Sequence, residues 1–417
     1  MSPARCSLLL LAFAPAACTA LLGAQDPIEI YDTPPAMGDA GTEAEAEASP
    51  CTVCDGACVD EQNDDANCGG CGLQCPTGCK SGRCLVVLAQ GGFDPATVAV
   101  NTTDVYWTLW IQDPCPTGPA IMSVGKNGGA VATVVSGLQP YAMAANATAL
   151  YVTSQGNPCT GGGGAVLEIP LAGAMPGPPR TLATGQAPRS LALDEASVYW
   201  VDENEIGKMP LDGGSVTTLA TGQNVGSNLA VNASGVYFST PPCPAGGAQC
   251  GDILAVPTSG GTPSMLYSAS PQPWTGVETA AVGADANDVY WNTSGCDGSQ
   301  CASLVLKGRA TGGGAIAQLA SVPSLGGVVP ALIGSSKIVV DSSSAYWVGP
   351  CPADAGASCD GELLKVGLDG GAVTTLATGV QSFAVDETSV YWGNSGFSSG
   401  PDEASTLTGS ILKLTPK

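Results

Sequence analysis

Residues 189–222 read RSLALDEASVYWVDENEIGKMPLDGGSVTTLATG, which is four short apolar runs separated by tight turns. The turn Asp212-Gly213-Gly214 lies between two alternating runs, and this arrangement is a strong signal for a β-hairpin. A helix would need apolar residues at a period of about 3.6 without a glycine every few positions. The stretch therefore predicts four consecutive antiparallel strands.

The tripeptide Val198-Tyr199-Trp200 marks a repeat. Close variants give seven copies in the chain, with steps of 38 to 56 residues between the tyrosines. The other tripeptides are Val105-Tyr106-Trp107, Leu150-Tyr151-Val152, Val236-Tyr237-Phe238, Val289-Tyr290-Trp291, Ala345-Tyr346-Trp347 and Val390-Tyr391-Trp392. Repeats of about 40–50 residues with four strands each are typical of propeller blades. Seven blades are predicted, and six is the alternative if the second unit merges with a neighbour.

The two ends of the repeat region complement each other. The last unit stops at its third strand, Ile411-Leu412-Lys413-Leu414, whereas residues 85–91 match the pattern of a fourth strand. Pairing of these segments would close the ring and hide its edges. We therefore predict an all-β, seven-bladed β-propeller over residues 85–417, closed by its N-terminal strand.

The composition excludes several classes of function. The chain of 417 residues has no His, 13 Lys and Arg, and 36 Asp and Glu, for a net charge of −23. Such a surface repels phosphate backbones, so no nucleic-acid partner is expected. Without His, catalytic sets such as Ser-His-Asp cannot form.

The N-terminus has the layout of a secretory signal. Arg5 precedes a short apolar run, and Ala16-Ala17-Cys18 resembles a bacterial lipobox. We expect a signal peptide over 1–17, lipidation of Cys18, and an acidic flexible tether over 18–50. The protein is then exported to the cell envelope as an outer-membrane lipoprotein that touches the membrane only through its lipid anchor. Soluble secretion or a retained anchor are the alternatives.

A small Cys-rich module is expected over residues 51–84. Its eight cysteines could form disulfides or bind zinc, and the export signal, the missing His and the number of Cys favour disulfides. Their connectivity is open. They are Cys51, Cys54, Cys58, Cys68, Cys71, Cys75, Cys79 and Cys84.

Two stretches resemble known families. The NCGGCG core at residues 67–72, with its Cys spacing, resembles a module common in exported proteins of myxobacteria and their relatives. This resemblance implies an exported compartment and a spacer role. The Val-Tyr-Trp strands resemble those of YWTD-type propellers of extracellular receptors and, more closely, repeat units of bacterial secreted propellers.

The candidate ligand-binding residues are those that lie outside the repeat tripeptides. Of 10 Tyr and 7 Trp, the repeat tripeptides take seven Tyr and five Trp. Trp110 and Trp274 fall outside them, as do Tyr141 and Arg189, which lie in connections between blades. All four are expected on one rim, where aromatic rings and an Arg suit a sugar or peptide. The alternative is that these aromatics pack against their own loops.

The other cysteines are expected to bridge loops on that same face. Cys243/Cys250, Cys296/Cys301 and Cys351/Cys359 each bracket one loop between a second and a third strand. Cys115 and Cys159 lie in the corresponding loops of adjacent units, so a bridge between blades is expected there. Stiff loops present a binding surface well because little ordering entropy is lost on binding.

Metal sites and catalysis have weaker support. Asp202, Glu203 and Glu205 form a weak calcium candidate that lacks EF-hand spacing, and no cofactor is predicted. Asp194 and similar residues occupy turns after first strands, which indicates repeated structural roles. We expect a monomeric, surface-tethered binding or scaffold module for a protein, peptide or glycan partner. The alternative is a His-independent, carboxylate-based glycan hydrolase or lyase.

Overall fold

The computed structural model describes residues 52–91, 94–109, 119–156, 163–171, 176–185, 188–202, 205–222, 225, 228–240, 251–268, 275–297, 300–324, 337–349, 361–395 and 409–417. All regular secondary structure within these ranges is β-strand, and the strands form one two-stranded and seven four-stranded sheets. The seven-bladed propeller is therefore confirmed, and the second repeat unit forms its own blade. In these ranges, no helix is long and apolar enough to cross a bilayer.

Blades 1 to 4 each use four consecutive antiparallel strands. Blade 1 is β4 (Val98–Val100), β5 (Asp104–Leu109), β6 (Ala120–Gly125) and β7 (Ala132–Ser136). Blade 2 is β8 (Pro140–Ala145), β9 (Ala149–Ser154), β10 (Gly164–Pro170) and β11 (Arg180–Gly185). Blade 3 is β12 (Pro188–Leu193), β13 (Ser197–Asp202), β14 (Glu205–Pro210) and β15 (Thr217–Thr221). Blade 4 is β16 (Leu229–Asn232), β17 (Gly235–Ser239), β18 (Ile253–Val256) and β19 (Ser264–Tyr267).

The remaining blades repeat this order, and blade 7 takes its fourth strand from the start of the propeller. Blade 5 is β20 (Thr275–Ala284), β21 (Asp288–Asp297), β22 (Gln300–Arg309) and β23 (Ala317–Ser324). Blade 6 is β24 (Ile338–Val340), β25 (Ser344–Val348), β26 (Gly361–Gly367) and β27 (Thr374–Val380). Blade 7 is β28 (Ser382–Val385), β29 (Val390–Asn394), β30 (Gly409–Thr415) and β3 (Cys84–Gly91).

The strand β3 closes the ring as predicted. It pairs antiparallel with β30, from Cys84 opposite Thr415 to Gly91 opposite Gly409. Leu88 of this strand joins a buried cluster with Trp107 of blade 1 and Tyr391 of blade 7. Burial of such large side chains supplies about 1.5–3 kcal/mol each, so the closing strand is held by the core as well as by its hydrogen bonds.

A tyrosine lock explains why the tripeptide recurs. Tyr199 is buried, and its hydroxyl donates to Oδ2 of Asp194 at 2.7 Å. Oδ1 of Asp194 accepts the backbone N–H groups of Ala196 and Ser197, so one carboxylate holds both the turn and the tyrosine. The same contact joins Asn232 to Tyr237, Asp285 to Tyr290, Asp341 to Tyr346 and Asp386 to Tyr391. The predicted structural role of these turn residues is met by this geometry.

A lysine in the third strand links each of four blades to the next. Lys208 lies opposite Tyr199, with its ammonium 5.2 Å from the ring centroid, and donates to the backbone oxygen of Thr258 in blade 4. Equivalent bonds run from Lys307 to Leu368, from Lys365 to Lys417 and from Lys413 to Lys126. Each bond crosses a blade boundary and therefore fixes the relative position of two sheets.

The Cys-rich segment precedes β3 and contains the hairpin β1 (Thr52–Cys54) and β2 (Ala57–Val59). Its disulfides include Cys54–Cys71, Cys68–Cys79 and Cys75–Cys84, which confirms disulfides over zinc in this segment. Because Cys84 is also the first residue of β3, the third bridge joins the segment to the propeller.

The segment also packs against the end of blade 7. A Cβ on Gly69 would lie 2.7 Å from Pro416 and 2.2 Å from the backbone oxygen of Gly82, so only glycine fits this contact. Thr77 donates to the backbone oxygen of Leu85 at 2.6 Å. The segment is therefore attached along the ring and does not stand apart from it, as a free spacer would.

Candidate ligand-binding site

The first strands of the blades surround a central cavity of about 910 Å³. First strands of neighbouring blades contact one another around the ring, for example β4 with β8 and β8 with β12. The cavity is open to solvent, and its volume lies within the range of about 300–1,000 Å³ that is usual for ligand sites. Its lining is mainly apolar, with polar side chains at the starts of the first strands.

One position at the start of the first strand carries a polar link between blades. Ser190 immediately precedes Leu191, the register partner of Trp200, and its hydroxyl accepts the N–H of Leu229 in blade 4 at 3.1 Å. Ser382 at the same position of blade 7 accepts the N–H of Val98 in blade 1. These short hydroxyls satisfy buried backbone N–H groups of the next blade.

Tyr141 and Arg189 line this cavity from blades 2 and 3. Tyr141 is 45% exposed and Arg189 is also exposed. The hydroxyl of Thr97 donates a hydrogen bond to the backbone oxygen of Tyr141, and the hydroxyl of Thr153 donates one to that of Arg189. Each donor comes from the preceding blade. The backbone at both residues is therefore held, while both side chains are accessible to a ligand.

Lys337 also lines the cavity, at the position that Ser190 and Ser382 occupy in their blades. Its ammonium donates to the backbone oxygen of Phe383 at 3.4 Å and lies 5.9 Å from the Phe383 ring centroid. Burial lowers the pKa of Lys337 from 10.5 to about 8. A negative charge placed beside this buried ammonium would stabilise its protonated form.

Gln381 and Asn228 complete the polar groups that sequence reasoning missed. The side-chain oxygen of Gln381 is buried and has no hydrogen-bond partner among the described residues. Lys337 and Asn228 occupy the position that Ser190 holds in blade 3, and Gln381 stands one residue earlier in blade 7. No aromatic marks this part of the repeat, so these positions appear only when the first strands are aligned on their register partners.

Several predicted residues lie outside the described ranges. They are Cys51, Trp110, Trp274, Glu203, Cys115, Cys159, Cys243, Cys250, Cys351 and Cys359, the side chain of Cys296, and the signal over 1–17 and tether over 18–50 with Cys18. Cys301 is buried in a disulfide and lies opposite Cys296 in the register of β21 and β22. The bridges proposed for the propeller cysteines, and a rim containing both tryptophans, stay predictions.

The acidic residues of the calcium candidate lie at the ends of two paired strands. Asp202 and Glu205 are register partners at the ends of β13 and β14. Glu205 accepts the hydroxyl of Thr218 at 2.7 Å, and Asp202 packs so close to Gly185 that a Cβ there would collide with its carboxylate. Both carboxylates are thus engaged in contacts within the blades.

One further group of metal-ligating atoms occurs in the described part of the chain. It consists of Cys54, Cys71 and Glu61. The two sulfur atoms form a disulfide with each other, so they are not available as thiolate ligands.

The carboxylates of the central cavity bear on the hydrolase alternative. Among the described residues that line it, Asp94 is the one acidic residue. A glycosidase of the usual kind needs two carboxyl groups about 5–10 Å apart. The lining therefore contains cationic, amide and aromatic groups suited to binding, and one carboxyl group.

Comparison with known proteins extends only to structure. No family model matches the chain, and no curated protein matches it. The extracellular domain of a hybrid two component system from B. thetaiotaomicron is similar with a TM-score of 0.50 and 10% identity, over 78% of this chain and 39% of that chain. A puromycin-hydrolyzing peptidase of Mycobacterium tuberculosis gives 0.50 and 13%, over 78% and 52%.

A third similar structure is the nidogen/laminin complex, with a TM-score of 0.38 and 17% identity over 56% of this chain and 83% of that chain. The chain spans well under two thirds of the Bacteroides and mycobacterial proteins. At these identities, the likeness to those two structures extends to the propeller fold and to nothing beyond it.

Proposed function

We propose that this protein is an exported binding module that takes a carboxylate-bearing glycan or an acidic peptide into the central cavity. The observation that carries the proposal is that Arg189 and Tyr141, from adjacent blades, line one open cavity with accessible side chains. Disulfides form and persist in oxidising compartments, which supports export.

The chemistry of the lining favours an anion with a flat, partly apolar body. A guanidinium binds a carboxylate through two parallel hydrogen bonds, and the ring of Tyr141 offers a face for a sugar or side chain. Lys337 adds a second positive charge in a chain whose net charge is −23. Gln381 has an unused acceptor that a ligand hydroxyl or amide could satisfy.

The experiment is a binding screen with the full mature chain, produced in an oxidising compartment so that its disulfides form. Labelled protein is applied to arrays of acidic and neutral glycans and of peptides of differing charge. We expect acidic members to bind and Tyr141→Ala to weaken that binding. Binding of neutral members alone, or no effect of Tyr141→Ala, would contradict the proposal.

The proposal includes attachment to a surface. The signal over 1–17, lipidation at Cys18 and the acidic tether over 18–50 would hold the propeller away from a membrane. Replacing Cys18 by Ser should move the protein from the membrane fraction to the soluble fraction of the producing cell or its medium. An unchanged distribution would remove the lipid anchor from the proposal and leave the binding site untouched.

A further inference from the structure

A second cavity, of about 950 Å³, lies between the Cys-rich segment and the end of the ring where the first strands finish. The propeller side is formed by turns of blades 1, 6 and 7, including Asn127, Ser343 and Thr388. The other side is formed by the Cys-rich segment, including Ala66 and Gly72. The cavity is therefore built where the two parts of the chain pack together, on the face opposite Arg189.

Lysine side chains are concentrated at this cavity. Its lining includes Lys126, Lys365, Lys413 and Lys417, from a chain with only 13 Lys and Arg. Two acidic residues also line it, Asp65 and Glu387. Oδ1 of Asp65 accepts the backbone N–H of Cys79 at 2.6 Å within the Cys-rich segment.

Two of the lysines are specific to this sector of the ring. Lys126 and Lys417 follow the third strands of blades 1 and 7, where Leu171, Leu211 and Leu368 stand in other blades. Lys126 pairs with Asp386 at 2.6 Å, and Lys417 pairs with Asp341 at 2.7 Å. Blades 1 and 7 thus carry charge where blades 2, 3 and 6 carry leucine.

The other two lysines have unused hydrogen-bonding capacity toward an anion. Lys365 and Lys413 each donate to one backbone oxygen, at 3.0 and 3.2 Å, and lie over tyrosine rings. An ammonium has three N–H donors. Burial lowers the pKa of Lys365 and that of Lys413, although Asp341 and Asp386 partly oppose it; neighbouring cations lower both pKa values further. A bound anion would offset the cost of burying each ammonium.

The lining also has an apolar part. It consists of Leu73 and Pro76 of the Cys-rich segment, Val86 of β3 and Pro416. A fully hydrated inorganic ion would leave these groups without contacts, whereas an aromatic or aliphatic body would cover them.

We propose that this cavity is a second binding site, for a small organic anion that has an apolar body and a carboxylate or sulfonate head. The head is placed against Lys365 and Lys413, and the body lies against Leu73, Pro76 and Val86. The site is independent of the central cavity and of whatever ligand that cavity takes.

The probe is 1-anilinonaphthalene-8-sulfonate, and N-phenyl-1-naphthylamine serves as its neutral counterpart with the same rings. The full mature chain is titrated with each dye, and fluorescence gives the affinity. The repeat supplies a matched control, because Lys208 makes the same tyrosine contact and the same bond to the next blade, far from this cavity. The variants are Lys413→Met, Lys365→Met and Lys208→Met, with Arg189→Ala to report on the central cavity.

We expect the sulfonate to bind this cavity with at least roughly tenfold lower affinity in Lys413→Met and Lys365→Met, because each loses a charge-assisted hydrogen bond. Lys208→Met should stay within about twofold of the parent, a change of under ~0.5 kcal/mol. Binding of the same dye in the central cavity is a separate component, which Arg189→Ala removes while the component sensitive to Lys413→Met remains. The sulfonate should also raise the thermal unfolding midpoint of Lys208→Met but not that of Lys413→Met. No binding by the parent chain, equal binding of the neutral dye, or equal affinities of Lys413→Met and Lys208→Met would overturn the proposal.

Discussion

At the scale of single residues, the carboxylate of Asp386 performs three tasks in the turn after the first strand of blade 7. Asp386 accepts the backbone N–H groups of Thr388 and Ser389, the hydroxyl of Tyr391 and the ammonium of Lys126. Burial alone would raise the pKa of Asp386, but these four donors together lower it from 3.8 to about 2. The ionised carboxylate is therefore part of the folded structure.

Replacing Asp386 by Asn should lower the free energy of unfolding at pH 7 by about 2 kcal/mol, because the folded pKa lies about two units below its ordinary value. Because the pKa is lower in the folded state, the ionised carboxylate stabilises the folded protein above pH ~4, and this contribution is lost as the pH falls toward ~2. The deficit of Asp386→Asn should therefore shrink over that interval. Urea unfolding at pH 7 and at stepwise lower pH measures it.

The control for this prediction is Asp212→Asn, in an exposed turn of blade 3. It should unfold like the parent at every pH. A deficit of Asp386→Asn that stays constant as the pH falls would show that the carboxylate does not act through its ionisation.

Residue-level prediction from sequence succeeded where a pattern repeats and failed where it does not. The turn aspartates were predicted to be structural because they recur in the turn after a first strand, as Asp194 does, and its bond to Tyr199 gives that role a geometry. Lys337 was missed because its partner, Phe383, is 46 residues away in the next blade. A contact across blades leaves no local signal in the chain.

At the scale of elements, the decisive strand is β3, since it belongs to blade 7 but lies before blade 1 in sequence. The unfinished last unit made this pairing predictable. The connectivity of the Cys-rich segment was not predictable, because bridges such as Cys54–Cys71 and Cys68–Cys79 depend on a packing that cysteine spacing does not encode.

The bridge Cys75–Cys84 should stabilise the pairing of β3 with β30 because it anchors the first residue of β3. Removing it in Cys75→Ser/Cys84→Ser should cost about 2–4 kcal/mol and accelerate hydrogen exchange in β3 and β30 more than in β15. The double variant Cys54→Ser/Cys71→Ser removes a bridge within the segment and should leave exchange in β3 close to that of the parent. Equal hydrogen exchange of β3 in both variants would show that the Cys75–Cys84 bridge does not stabilise the pairing of β3 with β30.

At the scale of the whole molecule, the ring has two chemically different ends. The starts of the first strands carry Arg189, Tyr141 and Lys337 around the central cavity. The opposite end carries the locked turns and the Cys-rich segment. Composition predicted an acidic surface, but only the closed ring shows that several of the few cations are gathered at two cavities.

The central claim is that ligand binds in the central cavity through Arg189. The most direct test is calorimetric titration of the acidic ligand recovered from the arrays into Arg189→Ala and into Arg180→Ala, whose arginine is exposed on β11 and paired with Glu168. We predict at least about tenfold weaker binding for Arg189→Ala and an unchanged affinity for Arg180→Ala. Equal affinities in the two variants would contradict the claim.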